Sequence, residues 1–234
     1  MHHLPLAPTF FAFLVGIFIV VVVLIEIRVL HYAYLRIGVS SRVAIVLLFC
    51  SLVGSYINVP VAHFPDRLVR FGQRLHPVVV KKPGIVIAVN IGGAVIPTLL
   101  SLYLLYANKA WSRGLIATAI IAALVHMVAT PVRGTGIAVP ILVPPASTAI
   151  VAILIARRDA AALAYISGSL GTLIGADLLN LGAVQGLGAP VASIGGAGTF
   201  DAIFLTGIMA VLLASFSGKP VYERRDRRWS RSRP

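Results

Sequence analysis

Residues 160–181 read AAALAYISGSLGTLIGADLLNL, an apolar run of 22 residues whose only charged side chain is Asp177. At about 1.5 Å of rise per residue, a helix over this run exceeds the roughly 30 Å hydrocarbon core of a bilayer. Gly168, Gly171, Gly175 and Gly182 fall on one helical stripe, which lets a neighbouring helix approach closely. Counting about 100° per residue, Asp177 points nearly opposite that stripe, with Asn180 beside it. A carboxylate does not face lipid. The helix is therefore expected to be central and packed on both sides, or to open at Gly175 and change face.

The rest of the chain has the same character. Of 234 residues, 59% are hydrophobic, mean hydropathy is +0.96, and several further runs approach membrane-spanning length. Unpaired backbone groups are so costly in hydrocarbon that such runs must be helical, and they lack the alternation of a membrane barrel. The expected fold is all-α: a polytopic transmembrane bundle of six or seven spans over residues 1–218, followed by a basic tail over 219–234. A re-entrant segment and a small surface hairpin remain open points within it. The single cysteine, Cys50, leaves no intrachain disulfide and reads as a small buried residue.

Downstream of the quoted run, residues 182–198 are rich in glycine, and a last apolar run begins at Thr199 with Asp201 two residues later. Upstream, GIAVPILVPPASTAIVAILIA carries Pro140, Pro144 and Pro145 at its start, which predicts either a kinked span or a re-entrant turn. The run from Gly114 to Ala129 contains His126, expected to be a hydrogen-bonded structural histidine. The stretch VNIGGAVIP, residues 89–97, holds Asn90, two glycines and Pro97, and predicts a broken or closely packed helix. Before it, PDRLVRFGQRLH separates apolar from basic residues at helical spacing, as in a helix lying in the interface. The β-branched runs flanking Lys81, Lys82, Pro83 and Gly84 suggest a hairpin. Asn58 and Pro60 loosen the end of the run from Val43, and the run from Pro8 to Leu30 reads as a retained first span. No internal repeat is recognised at this stage.

The net charge is +13, but the 20 basic residues lie between apolar runs, with seven after Ser217. That pattern sets membrane orientation and places the carboxyl terminus in the cytoplasm, in the cell (inner) membrane. Nucleic acid is not expected as a partner, because the tail is short and has only Trp229 to stack on a base. The expected partners are the lipid bilayer and a membrane protein or peptide substrate. No residues at ligand spacing call for a metal, and no motif calls for a cofactor.

With the tail inside, the connection between the last two runs is extracytoplasmic. Asp177 and Asp201 then lie near the same membrane face at similar depth. Two acids close together in a low dielectric cannot both ionise, so they share a proton near neutral pH, the state in which one carboxylate activates water and the other polarises a carbonyl. Asp177 and Asp201 are the candidate catalytic pair; Asn90, Asn180, Gly195, Gly196, Gly198 and Thr199 are candidate substrate-binding residues. The same acids suit a proton- or cation-coupled transporter or channel with Asn90 and Asn180 as neutral donors. They also suit a non-catalytic scaffold subunit in which they cap helix ends or bond backbone amides near Gly195 to Gly198.

The combination VNIGGAVIP, GTLIGADLLNL and SIGGAGTFDAIFLTGI resembles a prokaryotic family of multipass membrane proteins, domain of unknown function 1614, over most of the chain. More loosely, an Asp in one helix followed by a glycine-led Asp at the start of the next is similar to the presenilin, signal peptide peptidase and prepilin peptidase group. That resemblance implies di-aspartyl proteolysis within the membrane by Asp177 and Asp201. The group's motif is Gly-x-Gly-Asp, whereas Gly196, Gly198 and Asp201 read Gly-x-Gly-x-x-Asp here, and Ala176 stands where presenilins have Tyr.

Overall fold

The structure is a computed structural model that describes residues 23–25, 27–71, 78–82, 84–133, 136–157, 159–184, 190–196 and 202–215. Asp201, Gly198, Thr199, Glu26 and the basic tail lie outside them.

The chain is mostly helical, organised around α6 (Ala160–Thr172). Eleven of the 13 residues of α6 are buried, so its alanines, glycines and hydroxyls are interior on every side. It packs against α3 (Ile96–Ala107), α4 (Trp111–Val128), α5 (Val143–Ile155) and α8 (Ala202–Ser215). The central position expected for a helix with two occupied faces is observed. One side of the core is bulky, with Tyr34 of α1 (residues 27–36) against Leu100, Leu104, Tyr165, Ile166 and Val211. The other is built of alanines, among them Ala117, Ala149, Ala152, Ala164 and Ala210, which allow α4, α5, α6 and α8 to approach closely.

Among the described residues, two helical stretches are long and apolar enough to cross a membrane: α4, and the continuous 25 residues from Ala160 to Val184, which end in α7 (Leu181–Val184). Shorter apolar helices are α2 (Ser41–Gly54), Ile91–Ala107 and α5. Large apolar side chains cover the outside of the bundle, including Phe49, Leu99, Tyr106, Leu115, Met127 and Leu154. Cys50, expected inside, is exposed on α2. The prolines of residues 140–145 do not kink a helix: Pro144 and Pro145 stand in the first turn of α5, where the missing amide hydrogen has no intrahelical partner to lose.

The structure departs from an all-α fold at its strands. β1 (Asn58–Phe64), β4 (Ile85–Asn90) and β7 (Val191–Ile194) form a sheet in the order β1-β4-β7, antiparallel and then parallel. β4 is central, and Ile85, Ile87, Ala88 and Asn90 are all buried. β2 (Arg67–Phe71) pairs antiparallel with β3 (Val78–Lys82), and β5 (Thr130–Val132) with β6 (Gly136–Ala138). The expected interfacial helix over PDRLVRFGQRLH is thus overturned over Arg67–Phe71. Five residues whose spacing suits either period take the strand when a β-branched partner, Val78 to Val80, lies opposite. The expected hairpin between the runs flanking Lys81 to Gly84 does not form: both runs are strands, but β3 pairs with β2 and β4 with β1.

Candidate functional site: two π-turns joined by a glycine turn

Three irregular backbone segments meet at one end of α6. The first follows β4, where Ile91–Val95 forms a π-helical turn before α3. Asn90 ends the strand and holds this turn. Its Oδ1 accepts from the Gly93 amide at 2.8 Å, and its Nδ2 donates to the Ser55 carbonyl at 2.7 Å and to Asn58 Oδ1 at 3.1 Å. Asn90 is fully buried, so these bonds replace the water it gave up. Ser193 of β7 also donates to Asn58 Oδ1, so one side chain ties β1, β4 and β7 together.

The second segment is Leu173–Asp177, also a π-turn, followed by a single 3-10 turn over Leu178–Asn180. The helix does not break at Gly175 but widens there into the π-turn, so the opposed glycine and carboxylate faces are accommodated within one continuous helix. Gly175 is required by proximity: a Cβ there would lie 2.4 Å from the Ala122 carbonyl oxygen of α4. Asn180 closes the irregularity, its Nδ2 lying 2.9 Å from the Gly175 carbonyl, 3.0 Å from that of Ala176 and 3.2 Å from His126 Nδ1. His126 is therefore the hydrogen-bonded histidine expected from its isolation in the sequence. Among the described residues, no cluster of His, Cys, Asp and Glu could hold a metal ion.

The third segment is the glycine turn after β7. Gly195 and Gly196 have φ of 87° and 80°, in the left-handed region that glycine alone enters without strain. A Cβ on Gly195 would lie 2.6 Å from Ala94 of the first π-turn. Its amide donates to Asp177 Oδ2 at 2.7 Å. Asp177 is half-buried here, so this charge-assisted bond binds the second π-turn to the third segment. The structure thus joins Asp177 to Gly195, two of the residues singled out from sequence, while Asn90 holds the π-turn that Gly195 packs against and Asn180 the π-turn that carries Asp177.

Asn58 and Ser193 were missed as members of the site. The signal was a short repeat: Asn90-Ile91-Gly92-Gly93-Ala94 and Ser193-Ile194-Gly195-Gly196-Ala197 differ only at the first position. Each Ile-Gly-Gly ends one of two parallel neighbouring strands, β4 and β7, so the chain does contain an internal repeat at this scale.

A family model described as "Protein of unknown function (DUF1614)" matches residues 52–213, which hold all three segments, and the chain belongs to that family. No curated protein and no solved structure matches the chain.

Proposed function

We propose that the chain is a multipass membrane protein and a di-aspartyl hydrolase that cleaves membrane-embedded or membrane-proximal peptides. The observation that carries this reading is the 2.7 Å bond from the Gly195 amide to Asp177 Oδ2. It anchors on Asp177 the same glycine segment that leads, six residues on, to Asp201. The exposed apolar side chains on α2, α3, α4 and α5 support a lipid surround, with a cytoplasmic basic tail and both acids near the opposite face.

In this mechanism Asp177 and Asp201 hold one water between them. The ionised carboxylate takes a proton from the water as it attacks the peptide carbonyl, and the protonated one donates to the carbonyl oxygen. Gly195, Gly196, Gly198 and Thr199 form the mouth that receives substrate backbone. Asn90 and Asn180, whose amides are bonded to backbone, keep the two π-turns in shape around it.

A second reading is favoured by the same bond: a carboxylate that accepts a backbone amide can be a structural cap in a non-catalytic scaffold. A photoreactive hydroxyethylene peptide isostere, a mimic of the tetrahedral intermediate, separates the two. Hydrolysis predicts that wild-type protein in nanodiscs is labelled, and that Asp177→Asn and Asp201→Asn each abolish labelling while remaining folded. Labelling that survives in both variants, or is absent from folded wild type, refutes hydrolysis and leaves the scaffold.

A further inference from the structure

The end of the bundle away from Asp177 is basic. Ile37 and Val39, in the turn between α1 and α2, share a buried cluster with Ala162 and Ile166 near the start of α6. Ala214, near the end of α8, shares another with Ala156 and Ala160. The α1–α2, α3–α4 and α5–α6 turns and the end of α8 therefore lie together. Among the described residues this end carries Arg36, Arg42, Lys109, Arg113 and Arg157 against one carboxylate, Asp159. From here α8 leads into the seven basic residues that follow Ser217.

A cavity of about 260 Å³ opens at this end, between the α3–α4 and α5–α6 turns. Buried Leu163 and Ile166 of α6 form its floor. Asn108, Lys109, Ser112 and Arg113 line it on one side and Asp159 on the other. Drug-sized ligands occupy roughly 300–1,000 Å³, so a space slightly smaller suits a compact ionic group.

The lining is net positive. Neither Lys109 nor Arg113 forms an ion pair or a side-chain hydrogen bond with a described residue, whereas Asp159 has an interaction of its own. Lys109 also stands in an unusual place. The amides of Asn108, Lys109 and Ala110 close the end of α3 by donating to the carbonyls of Leu104, Tyr106 and Leu105 at 3.0, 3.2 and 3.1 Å. That closure gives Lys109 a φ of 51°, a position that glycine fills without strain. Lysine there sets a cation at the rim of the cavity, one turn from the guanidinium of Arg113. The first turn of α4, which carries Ser112 and Arg113, has no side-chain cap, so its amides add to the same field.

The surroundings identify the source of the anion. Tyr106 and Trp111 flank Lys109 and are 76% and 47% exposed, as aromatic side chains are at the headgroup level of a bilayer. Beyond them, exposed Leu102, Leu115 and Ile116 continue an apolar surface along α3 and α4.

We propose that this cavity binds the phosphate of an anionic phospholipid, with Lys109 and Arg113 as its cationic contacts and the acyl chains lying on the apolar surface beside Trp111. The site is separate from the acids and does not depend on the hydrolytic reading; its headgroup depth rests on the membrane surround given above.

Native mass spectrometry of the full chain in detergent, titrated with phosphatidylglycerol, tests the site. Phosphatidylcholine and inorganic phosphate are the comparisons. One phosphatidylglycerol should bind at least about tenfold more tightly than phosphatidylcholine, and Lys109→Gly and Arg113→Gln should each weaken it by about tenfold or more. Arg157→Gln, at the same end but outside the cavity lining, should change it by less than about threefold. Lys109→Gly should fold at least as stably as wild type, because glycine suits a φ of 51°, so binding lost there is not structure lost. Binding unchanged in Lys109→Gly and Arg113→Gln, or weakened equally by Arg157→Gln, overturns the site. Phosphatidylglycerol held no more tightly than phosphatidylcholine, or inorganic phosphate bound in its place with the same sensitivity to both variants, overturns the lipid as its occupant. Isostere labelling reads the opposite end of the bundle and does not enter this test.

Discussion

Replacing Gly175 by Ala should damage the site through packing alone. The new Cβ would stand 2.4 Å from the Ala122 carbonyl oxygen and 3.0 Å from Val125 Cβ, both on α4. Ordinary contact needs about 3.4 Å, so α4 and the π-turn must separate locally by about 1 Å. Overpacking of this kind costs about 1–3 kcal/mol, or about 2–12 °C in Tm for a chain of this size. Asp177 is two residues away, and a 1 Å shift is enough to break its 2.7 Å bond with Gly195. Gly182→Ala is the matched control, on the same sequence stripe but with nothing within 4 Å of its Cβ. Thermal unfolding of both variants in one detergent should therefore show a drop for Gly175→Ala and none for Gly182→Ala. Equal Tm values would refute the close approach of α4 to the π-turn.

Gly195→Ala combines a positive φ with a Cβ 2.6 Å from Ala94, and should lower Tm by at least as much as Gly175→Ala; a neutral result would refute the turn described. Asn90→Ala leaves the Ser55 carbonyl and Gly93 amide without their partner and should cost about 2–4 kcal/mol, with Asn90→Asp no rescue because the carboxylate cannot donate to Ser55, as denaturant titration would show. Asp177→Asn keeps an acceptor for the Gly195 amide and should lower stability by only about 1 kcal/mol while abolishing isostere labelling, whereas unchanged labelling would remove Asp177 from the chemistry.

The sequence was most informative where one face of a helix is constrained. Glycine spacing in residues 160–181 identified the buried helix, and the conflict between that stripe and Asp177 marked the place where its winding changes. A π-turn resolves the conflict, which period counting at 100° cannot foresee because the extra residue is stabilised by Asn180 and His126 from outside the turn. The strand character of β3 and β4 was legible in their β-branched runs, but the pairing of the strands was not. β4 is an apolar run that continues into α3, and its buried character comes from two neighbours, one of them more than 100 residues later. Pairing over such separations leaves no local periodicity. Arg67 to Phe71 could take either period, and the choice fell to β3. Asn58 looked like a helix end and is instead the acceptor that joins the sheet, a role that only the paired strands disclose.

The central claim is that Asp177 and Asp201 act on one water. A crystal structure from lipidic mesophase with the hydroxyethylene isostere bound measures it directly. The account predicts both carboxylates within hydrogen-bonding reach of the isostere hydroxyl and within about 7 Å of each other, the range in which two acids share a proton or a water. Carboxylates more than about 10 Å apart, with Asp201 bonded to backbone amides, would contradict it and leave Asp177 as the cap of the Gly195 turn.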